Sequence, residues 1–143
     1  MSQVSDFNKA IVDEFRATKG RVGGNFEGAP LLLLHHTGAK SGVERVSPMM
    51  YQQIGDEMAV FASKAGADTN PDWYHNVVAH PEVVVEVGDR TLRVVARVAS
   101  DQEREPIWEK QKRDYPGFAQ YEEKTTRRIP VVILRPAPES TDN

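Results

Sequence analysis

The pattern of hydrophobic and polar positions begins with one amphipathic helix. From Val4 to Lys19 apolar residues recur at every third or fourth position, which predicts a helix over about residues 4–19 with one buried face. Gly20 ends this pattern, and the glycine-rich stretch 21–30 has no periodicity, as is typical of a loop. The helix is therefore predicted to pack on a sheet formed by the residues that follow.

Short β-type runs separated by turn signals occupy most of the remaining chain. Gly55-Asp56 and Gly88-Asp89-Arg90 predict tight hairpins. Short strands joined by hairpins disfavour a parallel sheet and favour a closed antiparallel barrel with helices outside it. The predicted fold is thus mainly β (α+β), a six-stranded antiparallel β-barrel with flanking helices over about residues 30–136. The six predicted strands are 31–36, 44–53, 57–63, 82–87, 91–99 and 129–134.

Two further helices are predicted between the strands. Asn70 is the expected N-cap of a short helix over residues 71–79, with a proline at the first helical position. Ser100 begins a capping-box spacing that opens a helix over about residues 100–114. Because Pro106 removes a backbone hydrogen bond inside that helix, the helix is predicted to be kinked or to start later.

Composition narrows the class of protein. The 143 residues, 39% hydrophobic and 27% charged, predict one domain over residues 1–143, with a disordered tail at about 137–143. A net charge of −3 argues against nucleic acid as a partner, and the absence of cysteine excludes thiolate chemistry. The N-terminus lacks a secretory pattern and the longest apolar run is too short to span a membrane, so a cytoplasmic protein is expected.

The stretch HHTGAKSGVERVSP, residues 35–48, raises the possibility of a metal site. Adjacent strand residues point to opposite faces, so His35 and His36 are poorly placed to bind one metal ion. Their spacing to His75 and His80 matches no metal-binding pattern. We therefore predict no metal, and expect strand-end histidines satisfied by hydrogen bonds, one of which could face a pocket.

The same stretch offers the parts of an anion site. Lys40 and Ser41 lie in a glycine-flanked hairpin, and Arg45 begins the next strand across from it. Ser63-Lys64 adds a second hydroxyl and cation at the end of the third strand, shortly before a helix N-terminus. In an acidic protein this clustering favours a polyanionic small ligand, although a solvent-facing hairpin with scattered charges is the alternative. Without an evident nucleophile, the pattern suits a redox cofactor that performs the chemistry itself.

Aromatic residues form a second group of candidates. Trp73 and Tyr74 lie on the short helix, and three aromatic residues follow Asp114 at a spacing of three. Such spacing is more typical of a core than of a cofactor site. Because Pro116-Gly117 interrupts the segment, we predict an irregular stretch that could act as a lid over a planar ligand. The three aromatic residues of this segment are Tyr115, Phe118 and Tyr121.

Three stretches of the chain resemble the deazaflavin-dependent nitroreductase family, which has a split β-barrel also found in FMN-binding, pyridoxine-phosphate-oxidase-like proteins. They are LLLLHHTGAKSGVERVSPMMY, FASKAGADTNPDWYHNVVAHPEVVVEVG and RRIPVVILRP, and together they cover roughly residues 30–136. The resemblance implies binding of coenzyme F-420, an 8-hydroxy-5-deazaflavin with a phosphate and an oligoglutamate tail. It also implies hydride transfer to a quinone, an enone or a nitro compound.

Residue roles follow from this resemblance. It implies that Tyr115 or Tyr121, or water, supplies a proton. It implies a cofactor site made of Lys40, Ser41, Arg45, Ser47, Pro48, Ser63, Lys64, Ala65, Asn70 and Trp73. It implies an acceptor pocket made of Met50, Trp73, Tyr74, Tyr115, Phe118 and Tyr121.

Three positions depart from the pattern of the family. Ala39 replaces a basic residue and removes one anion contact, Phe118 stands where a tyrosine can occur, and Met50 replaces a residue that is often aromatic. Two alternatives stay open at this point, an FMN-dependent oxidoreductase on the same barrel and a non-catalytic F-420-binding protein. A homodimer and a peripheral membrane contact through a quinone substrate are further expectations.

Overall fold

The structure is a computed structural model that describes residues 3–18, 30–38, 42–63, 70–88, 90–126 and 128–137. It confirms the predicted fold, since six antiparallel strands close into a barrel in the order β1-β2-β3-β6-β5-β4. The helices are α1 (Gln3–Ala17), α2 (Asp72–Ala79), α3 (Asp101–Asp114) and α4 (Gly117–Lys124). The strands are β1 (Leu31–Thr37), β2 (Glu44–Ile54), β3 (Glu57–Phe61), β4 (Glu82–Val87), β5 (Arg90–Val98) and β6 (Val131–Pro136).

Two hairpin units supply five of the strands. The predicted meander of the first three strands is confirmed by the pairs Leu31 with Met50 and Tyr51 with Val60. Gly55 adopts a φ of +61° in the β2–β3 turn, a conformation that favours glycine. The β4–β5 hairpin joins β1 on one side, and β6 closes the barrel between β3 and β5.

Strand β1 is buried on both of its faces. Leu32 and Leu34 belong to the cluster that fills the barrel interior, whereas Leu31 and Leu33 lie on the outer face, where Ile11, Val12 and Phe15 of α1 cover them. Side chains alternate between the two faces of a strand, so a strand with cover on both sides needs apolar residues at every position. This explains the unbroken run of leucines.

Helices α3 and α4 cover a second part of the outer face, over β3 and β6. Phe61 of β3 lies between Trp108 of α3 and Phe118 of α4, with ring centroids 5.9 and 5.5 Å away. Ile129, Val131 and Ile133 complete this cluster. We call it the α3–α4 face. It provides a second, purely apolar core outside the barrel.

Helix α2 closes one end of the barrel, which we call the α2 end. The helix follows β3 and precedes β4, and Val77 packs with the residues of the barrel interior. At the α2 end β1 and β3 terminate, while β2 and β6 begin, as the register of the pairs His36 with Arg45 and Phe61 with Val131 shows. Residues at these strand ends are therefore brought together around α2.

Several predicted boundaries were wrong. Asn70 is not the N-cap of α2, because Pro71 has extended dihedral angles (φ −69°, ψ 157°) and helical geometry begins at Asp72. Strand β3 ends at Phe61 instead of residue 63. Strand β6 is shifted from the predicted 129–134, because its residues from Val131 to Pro136 pair with β3 on one side and β5 on the other.

The segment after Asp114 was wrongly predicted to be irregular. It forms α4, because Pro116 has α-region dihedral angles (φ −59°, ψ −17°) and leads directly into the helix as its N-cap. A late start of α3 at Pro106 was also wrong. The helix begins at Asp101, where the predicted capping box is confirmed: the backbone N–H of Glu103 donates to the Ser100 hydroxyl (3.2 Å) and the N–H of Ser100 donates to the Glu103 carboxylate (3.0 Å).

The ends of two predicted segments differ from the structure. Helix α1 begins at Gln3 and ends at Ala17, and residues 19 and 20 lie outside the described residues. The predicted disordered tail was wrong at Ala137, whose N–H donates to the carbonyl of Arg93 at 2.9 Å. Residues 138–143 lie outside the described residues.

Candidate functional site

The β1–β2 hairpin brings Arg45 and Ser47 to the α2 end. The N–H of Gly38 donates to the carbonyl of Val43 at 2.9 Å, and Gly42 has a φ of +72° that favours glycine. Four of the predicted cofactor-binding residues, Lys40, Ser41, Lys64 and Ala65, lie outside the described residues. Arg45 is exposed and Ser47 is half-buried, so both are accessible to a ligand.

A buried histidine connects Ser47 to α2. His36 is 3% exposed and Asn76 is 6% exposed. The Nε2 atom of His36 lies 2.9 Å from the Ser47 hydroxyl oxygen, and its Nδ1 atom lies 2.9 Å from the Asn76 side-chain nitrogen. We call His36, Ser47 and Asn76 the polar chain. It links β1, β2 and α2 directly beside Arg45, which stands opposite His36 in the strand register.

The environment of His36 keeps its imidazole neutral. Burial lowers its pKa to about 4, and the positive charge of Arg45 acts in the same direction. The nearby carboxylate of Asp72 opposes these effects and His35 adds slightly to them. A neutral imidazole has one donor and one acceptor, so an Nδ1 that accepts from the Asn76 amide requires an Nε2–H that donates to Ser47. The protonation state thus fixes the direction of the hydrogen bonds.

His35 faces the opposite side of β1, as predicted. Its Nε2 lies 2.6 Å from Glu86 and its Nδ1 lies 3.3 Å from Glu44. Arg16 of α1 donates to both oxygens of Glu86, at 3.1 and 2.7 Å, and these hydrogen bonds lower the pKa of Glu86. The prediction that the two histidines are strand-end residues satisfied by hydrogen bonds is therefore confirmed.

The remaining described candidates for cofactor binding divide between the two faces of the sheet. Ser63 is buried and follows the end of β3, while Asn70 directly precedes α2. Trp73, on α2, packs against the cluster of the barrel interior. Pro48 pairs with Leu33 of β1, whose side chain lies on the outer face under α1. Apart from Pro48, these residues lie on α2 or on the segment between β3 and α2.

The predicted acceptor pocket is split by the barrel wall. Trp73 and Tyr74 pack against the interior cluster, whereas Met50, Tyr115, Phe118 and Tyr121 pack on the outer face. Phe118 is 9% exposed and lies 5.3 Å from the ring of Tyr121 in an edge contact. Phe118 also packs against Phe61 at the end of β3, two residues before Ser63.

Side-chain hydrogen bonds fix α4 on α3. The indole N–H of Trp108 donates to Glu122 at 2.7 Å, and Lys112 donates to the other carboxylate oxygen at 3.0 Å. Burial, the largest single effect, opposes ionisation of Glu122, but these two hydrogen bonds and the positive charges of Lys112 and Arg104 together lower the pKa of the carboxyl. Glu122 therefore holds the helix that carries Phe118 and Tyr121.

A cavity of about 250 Å³ lies between α2 and strands β5 and β6. Its lining is apolar apart from Arg97, which donates to Glu103 at 2.7 Å. None of the predicted cofactor or acceptor residues lines it. No residue of the polar chain lines it either. The lining residues are Val77, Val78, Pro81, Ala96, Arg97, Val98 and Val132.

Two residues of this site, His36 and Asn76, were not predicted as site residues. The hairpin pairing was the available signal, because it places His36 opposite Arg45 once the strand ends are known. Asn76 lies three residues after Trp73, close to it on one helix face. Nothing in the sequence pattern indicated that these two side chains would meet.

The fold places the chain among split-barrel proteins. A Clostridium acetobutylicum protein of the pyridoxinephosphate oxidase family has a similar structure, with a TM-score of 0.51 at 11% identity, covering 90% of this chain and 84% of that protein. At this identity the similarity concerns the fold alone. The class of fold is therefore a six-stranded split β-barrel.

Closer similarities define the family. A family model described as F420H(2)-dependent quinone reductase matches residues 8–136, and the chain belongs to this family. A Mycobacterium tuberculosis protein named F420H(2)-dependent quinone reductase is 37% identical over 124 residues, 84% of this chain and 83% of the relative. A solved structure described as an F420-H2 dependent reductase (FDR-A) has a TM-score of 0.68 at 42% identity, covering 74% of this chain and 94% of that one. The protein is accordingly an oxidoreductase of the coenzyme F-420-dependent class, as the resemblance implied.

No group of three or more histidine, aspartate or glutamate side chains in the described ranges is arranged to hold a metal ion. None of the helices in the described part of the chain has the length and apolar composition that a membrane span requires.

Proposed function

We propose that the protein reduces a quinone with reduced coenzyme F-420 bound at the α2 end of the barrel. When bound, the reduced deazaflavin supplies a hydride from its C5 atom. A hydride and one proton together convert a quinone into a hydroquinone. The protein binds, orients and shields the two reactants, and delivers the proton.

The anionic part of the cofactor is assigned to the β1–β2 hairpin. Arg45 is an exposed cation, and Ser47 lies two residues away on the same face of β2. Lys40 and Ser41, in the hairpin loop, are assigned to the same phosphate and tail region. The fit is chemical: a phosphate accepts hydrogen bonds from a guanidinium, an ammonium and hydroxyl groups, and these are the groups of this region.

The deazaflavin ring is assigned to the groups around the start of α2. Ser63, Lys64 and Ala65 follow β3 in the sequence, Asn70 precedes α2, and Trp73 lies in its first turn. Trp73 is half-buried and offers a flat apolar surface of the kind on which a planar ring packs. Pro48 of β2 is assigned no contact with the ring, because it pairs with Leu33, whose side chain lies on the outer face under α1.

The acceptor is assigned to the aromatic group beyond Ser63. Tyr115 and Tyr121 are half-buried, with hydroxyl groups able to donate a proton or to orient water. Met50 and Phe118 lie on the same outer face and are assigned apolar contacts with the acceptor there, whereas Trp73 and Tyr74 lie on the interior side of the barrel wall and are assigned to the cofactor side. An apolar and aromatic pocket of this kind suits a quinone, with an enone or a nitro compound as further acceptors to be tested.

One observation supports the proposal: Arg45 stands opposite His36, and the polar chain joins this pair to α2, the helix that carries Trp73. A cation, a hydroxyl donor and an aromatic surface at one barrel end match a planar ligand with an anionic tail.

The first experiment titrates the purified protein with F-420 and follows deazaflavin fluorescence. The double variant Lys40→Ala/Arg45→Ala is expected to weaken binding by about 2 to 4 kcal/mol, because each charge-assisted bond contributes about 1.5 to 3 kcal/mol and the two are not fully additive. The matched control is Arg90→Ala/Arg93→Ala, which removes two exposed cations of β5. If the wild type shows no saturable binding at F-420 concentrations up to tens of micromolar, the proposal is rejected.

Turnover separates the alternatives. A quinone, an enone and a nitro compound are each offered to the protein with F-420H2, and oxidation of the cofactor is followed. Reduction of the quinone supports the proposal, whereas tight binding without oxidation by any acceptor indicates a non-catalytic F-420-binding protein. A purified protein with a bound yellow flavin and FMN-dependent turnover would instead favour the FMN alternative.

A homodimer and a peripheral membrane contact are proposed as secondary properties. A solved structure described as a domain-swapped dimer has a TM-score of 0.69 at 37% identity, covering 92% of this chain and 96% of that one, and supports testing the oligomeric state. Light scattering during size exclusion measures the mass. Co-sedimentation with vesicles that contain a long-chain quinone, compared with vesicles that lack it, measures the membrane contact.

A further inference from the structure

The polar chain contains a donor that the fold does not use. The Nε2–H of His36 donates to the Ser47 oxygen, so the Ser47 hydroxyl proton must be directed elsewhere. Within the described residues, the Ser47 hydroxyl has no hydrogen-bond partner besides His36. The hydroxyl is half-buried and two residues from Arg45 on the same strand face. It is therefore a donor available next to a cation.

We propose that His36 is a positioning residue for the anionic part of the cofactor: it holds the Ser47 hydroxyl with its proton directed at the ligand beside Arg45. This inference rests on the proposed function of the α2 end. His36 itself is 3% exposed and does not touch the ligand. It acts through Ser47, because its Nε2–H donates a hydrogen bond to the Ser47 hydroxyl oxygen.

Asn76 sets the tautomer of His36. An Asn76 amide that donates to Nδ1 makes this nitrogen an acceptor and leaves the proton on Nε2. If the proton were on Nδ1, Nε2 would accept from Ser47 and the hydroxyl would lose its free proton. The hydrogen bond from Asn76 to His36 thus decides whether the Ser47 hydroxyl can donate to the ligand. Without the hydrogen bond from His36, the Ser47 hydroxyl would rotate freely in the unbound protein. Ligand binding would then restrict this rotation, and the lost entropy would lower the affinity.

The charged groups around His36 support a neutral ring. Arg45 stands opposite on β2 and His35 precedes it on β1, while Asp72 of α2 is the nearby carboxylate that influences it. A protonated His36 would bring a second positive charge next to Arg45 and place an Nδ1–H against the Asn76 amide. Both effects oppose protonation, so the donor direction at Ser47 is maintained at neutral pH.

The test compares three substitutions of His36 by the Kd for F-420. His36→Gln places an amide nitrogen near the position of Nε2 and retains the donor to Ser47, so Kd is expected to stay within about twofold of the wild type. His36→Leu removes the donor and His36→Asn retains only the acceptor toward Asn76. Both are expected to raise Kd by about fivefold to tenfold, the effect of one oriented hydrogen bond.

Two further measurements separate positioning from a general structural effect. The phosphate-free deazaflavin riboside should bind the wild type and His36→Leu equally, because it has no anion for Ser47 to contact. Ser47→Ala should raise Kd for F-420 as much as His36→Leu, and the double variant no further. Equal losses for F-420 and for the riboside would overturn the positioning role, and so would additive losses in the double variant.

The experiments distinguish a wrong role for His36 from a wrong assignment of the cofactor to the α2 end. If Arg45→Ala weakens F-420 binding but His36→Leu does not, His36 has no positioning role and the site stands. If neither substitution changes Kd, the assignment of the anion to this end is wrong and the role of His36 falls with it. The tautomer is checked on the ligand-free protein by imidazole ¹⁵N chemical shifts at pH 7, where a proton on Nδ1 would overturn the proposal even if F-420 binds.

Discussion

The α2 end and the α3–α4 face are built on neighbouring parts of one barrel but from opposite kinds of contact. At the α2 end, two hydrogen bonds of 2.9 Å join three buried or half-buried polar side chains beside Arg45. On the α3–α4 face, the rings of Phe61, Trp108 and Phe118 pack in tilted and edge-to-face contacts with centroids 5.5 to 6.1 Å apart. The first region orients groups, and the second buries apolar area.

This difference separates stability from function. Burying aromatic rings stabilises the fold because each removes a large apolar surface from water. A buried hydrogen-bonded chain adds little net stability, but it is costly to leave incomplete and it fixes geometry. We therefore expect substitutions on the α3–α4 face to change the free energy of unfolding, and substitutions at the ligand-facing edge of the α2 end to change binding instead.

The largest expected effect is on the α3–α4 face. Phe118→Ala should lower the free energy of unfolding by about 3 to 5 kcal/mol, because it removes a ring that contacts three other aromatic residues and leaves a cavity. Urea denaturation measures the change. Phe118→Leu is the matched control and should retain roughly half of this stability. A loss below about 1 kcal/mol for the alanine variant would show that the ring is not part of a packed core.

The next effect concerns pH dependence at the α2 end. The pKa of His36 is about 4 in the folded protein, below its ordinary value of 6.5, so between these pH values the unfolded chain binds a proton that the folded protein does not. The free energy of unfolding should therefore fall as the pH decreases from about 6.5 to 4, by about 2 to 3 kcal/mol from this group.

The difference between wild type and His36→Leu isolates this contribution. Urea denaturation is repeated at several pH values for both proteins, and carboxylates outside the polar chain contribute equally to each. The wild type should lose more stability than the variant over this pH range. Parallel pH profiles would contradict a buried neutral histidine.

A smaller effect is expected where a polar pair supports the apolar face. Glu122→Leu should destabilise the protein by about 1 to 2 kcal/mol, because the buried indole N–H of Trp108 loses its acceptor. Glu122→Gln keeps an acceptor and should lose less. Thermal unfolding distinguishes the two variants, and equal losses would show that the charge contact with Lys112 matters more than the indole hydrogen bond.

The smallest effect on stability is expected for Arg45. Its side chain is exposed, so Arg45→Ala should change the free energy of unfolding by less than about 0.5 kcal/mol. The same variant should weaken F-420 binding, with a loss that shrinks as salt concentration rises. If Arg45→Ala lowers the free energy of unfolding as much as it lowers the free energy of F-420 binding, the α2 end is not specialised for binding and the contrast with the α3–α4 face fails.

Local signals predicted most elements of the fold. The capping box at Ser100, the glycine turn at Gly55 and the strand lengths of β1, β2 and β4 depend on neighbouring residues, and the structure agrees with them. The bounds of β6 could not be predicted from neighbouring residues, because they are set by pairing with β3 and β5. Helix α4 was missed because Pro116-Gly117 was interpreted as a break, although proline also suits a helix start.

The candidate site was predictable only in part. Arg45 could be placed from a hairpin, since the loop and the following strand are contiguous in sequence. Met50 and Phe118 were grouped with Trp73 and Tyr74 by the resemblance, but the structure packs these two pairs on opposite sides of the barrel wall. The face of a strand residue depends on register, and a shift of one residue reverses it.

The sequence by itself determined the class of fold, the hairpin that carries Arg45 and the separation of His35 from His36, because helix periodicity, turn residues and strand alternation act over a few neighbouring positions. Only the tertiary structure decided that His36 meets Asn76, 40 residues further along the chain. Closing the barrel brings β1, β2 and α2 to one end, and burial there makes the histidine neutral. The direction of a proton at Ser47 is therefore a consequence of packing, which no local pattern encodes.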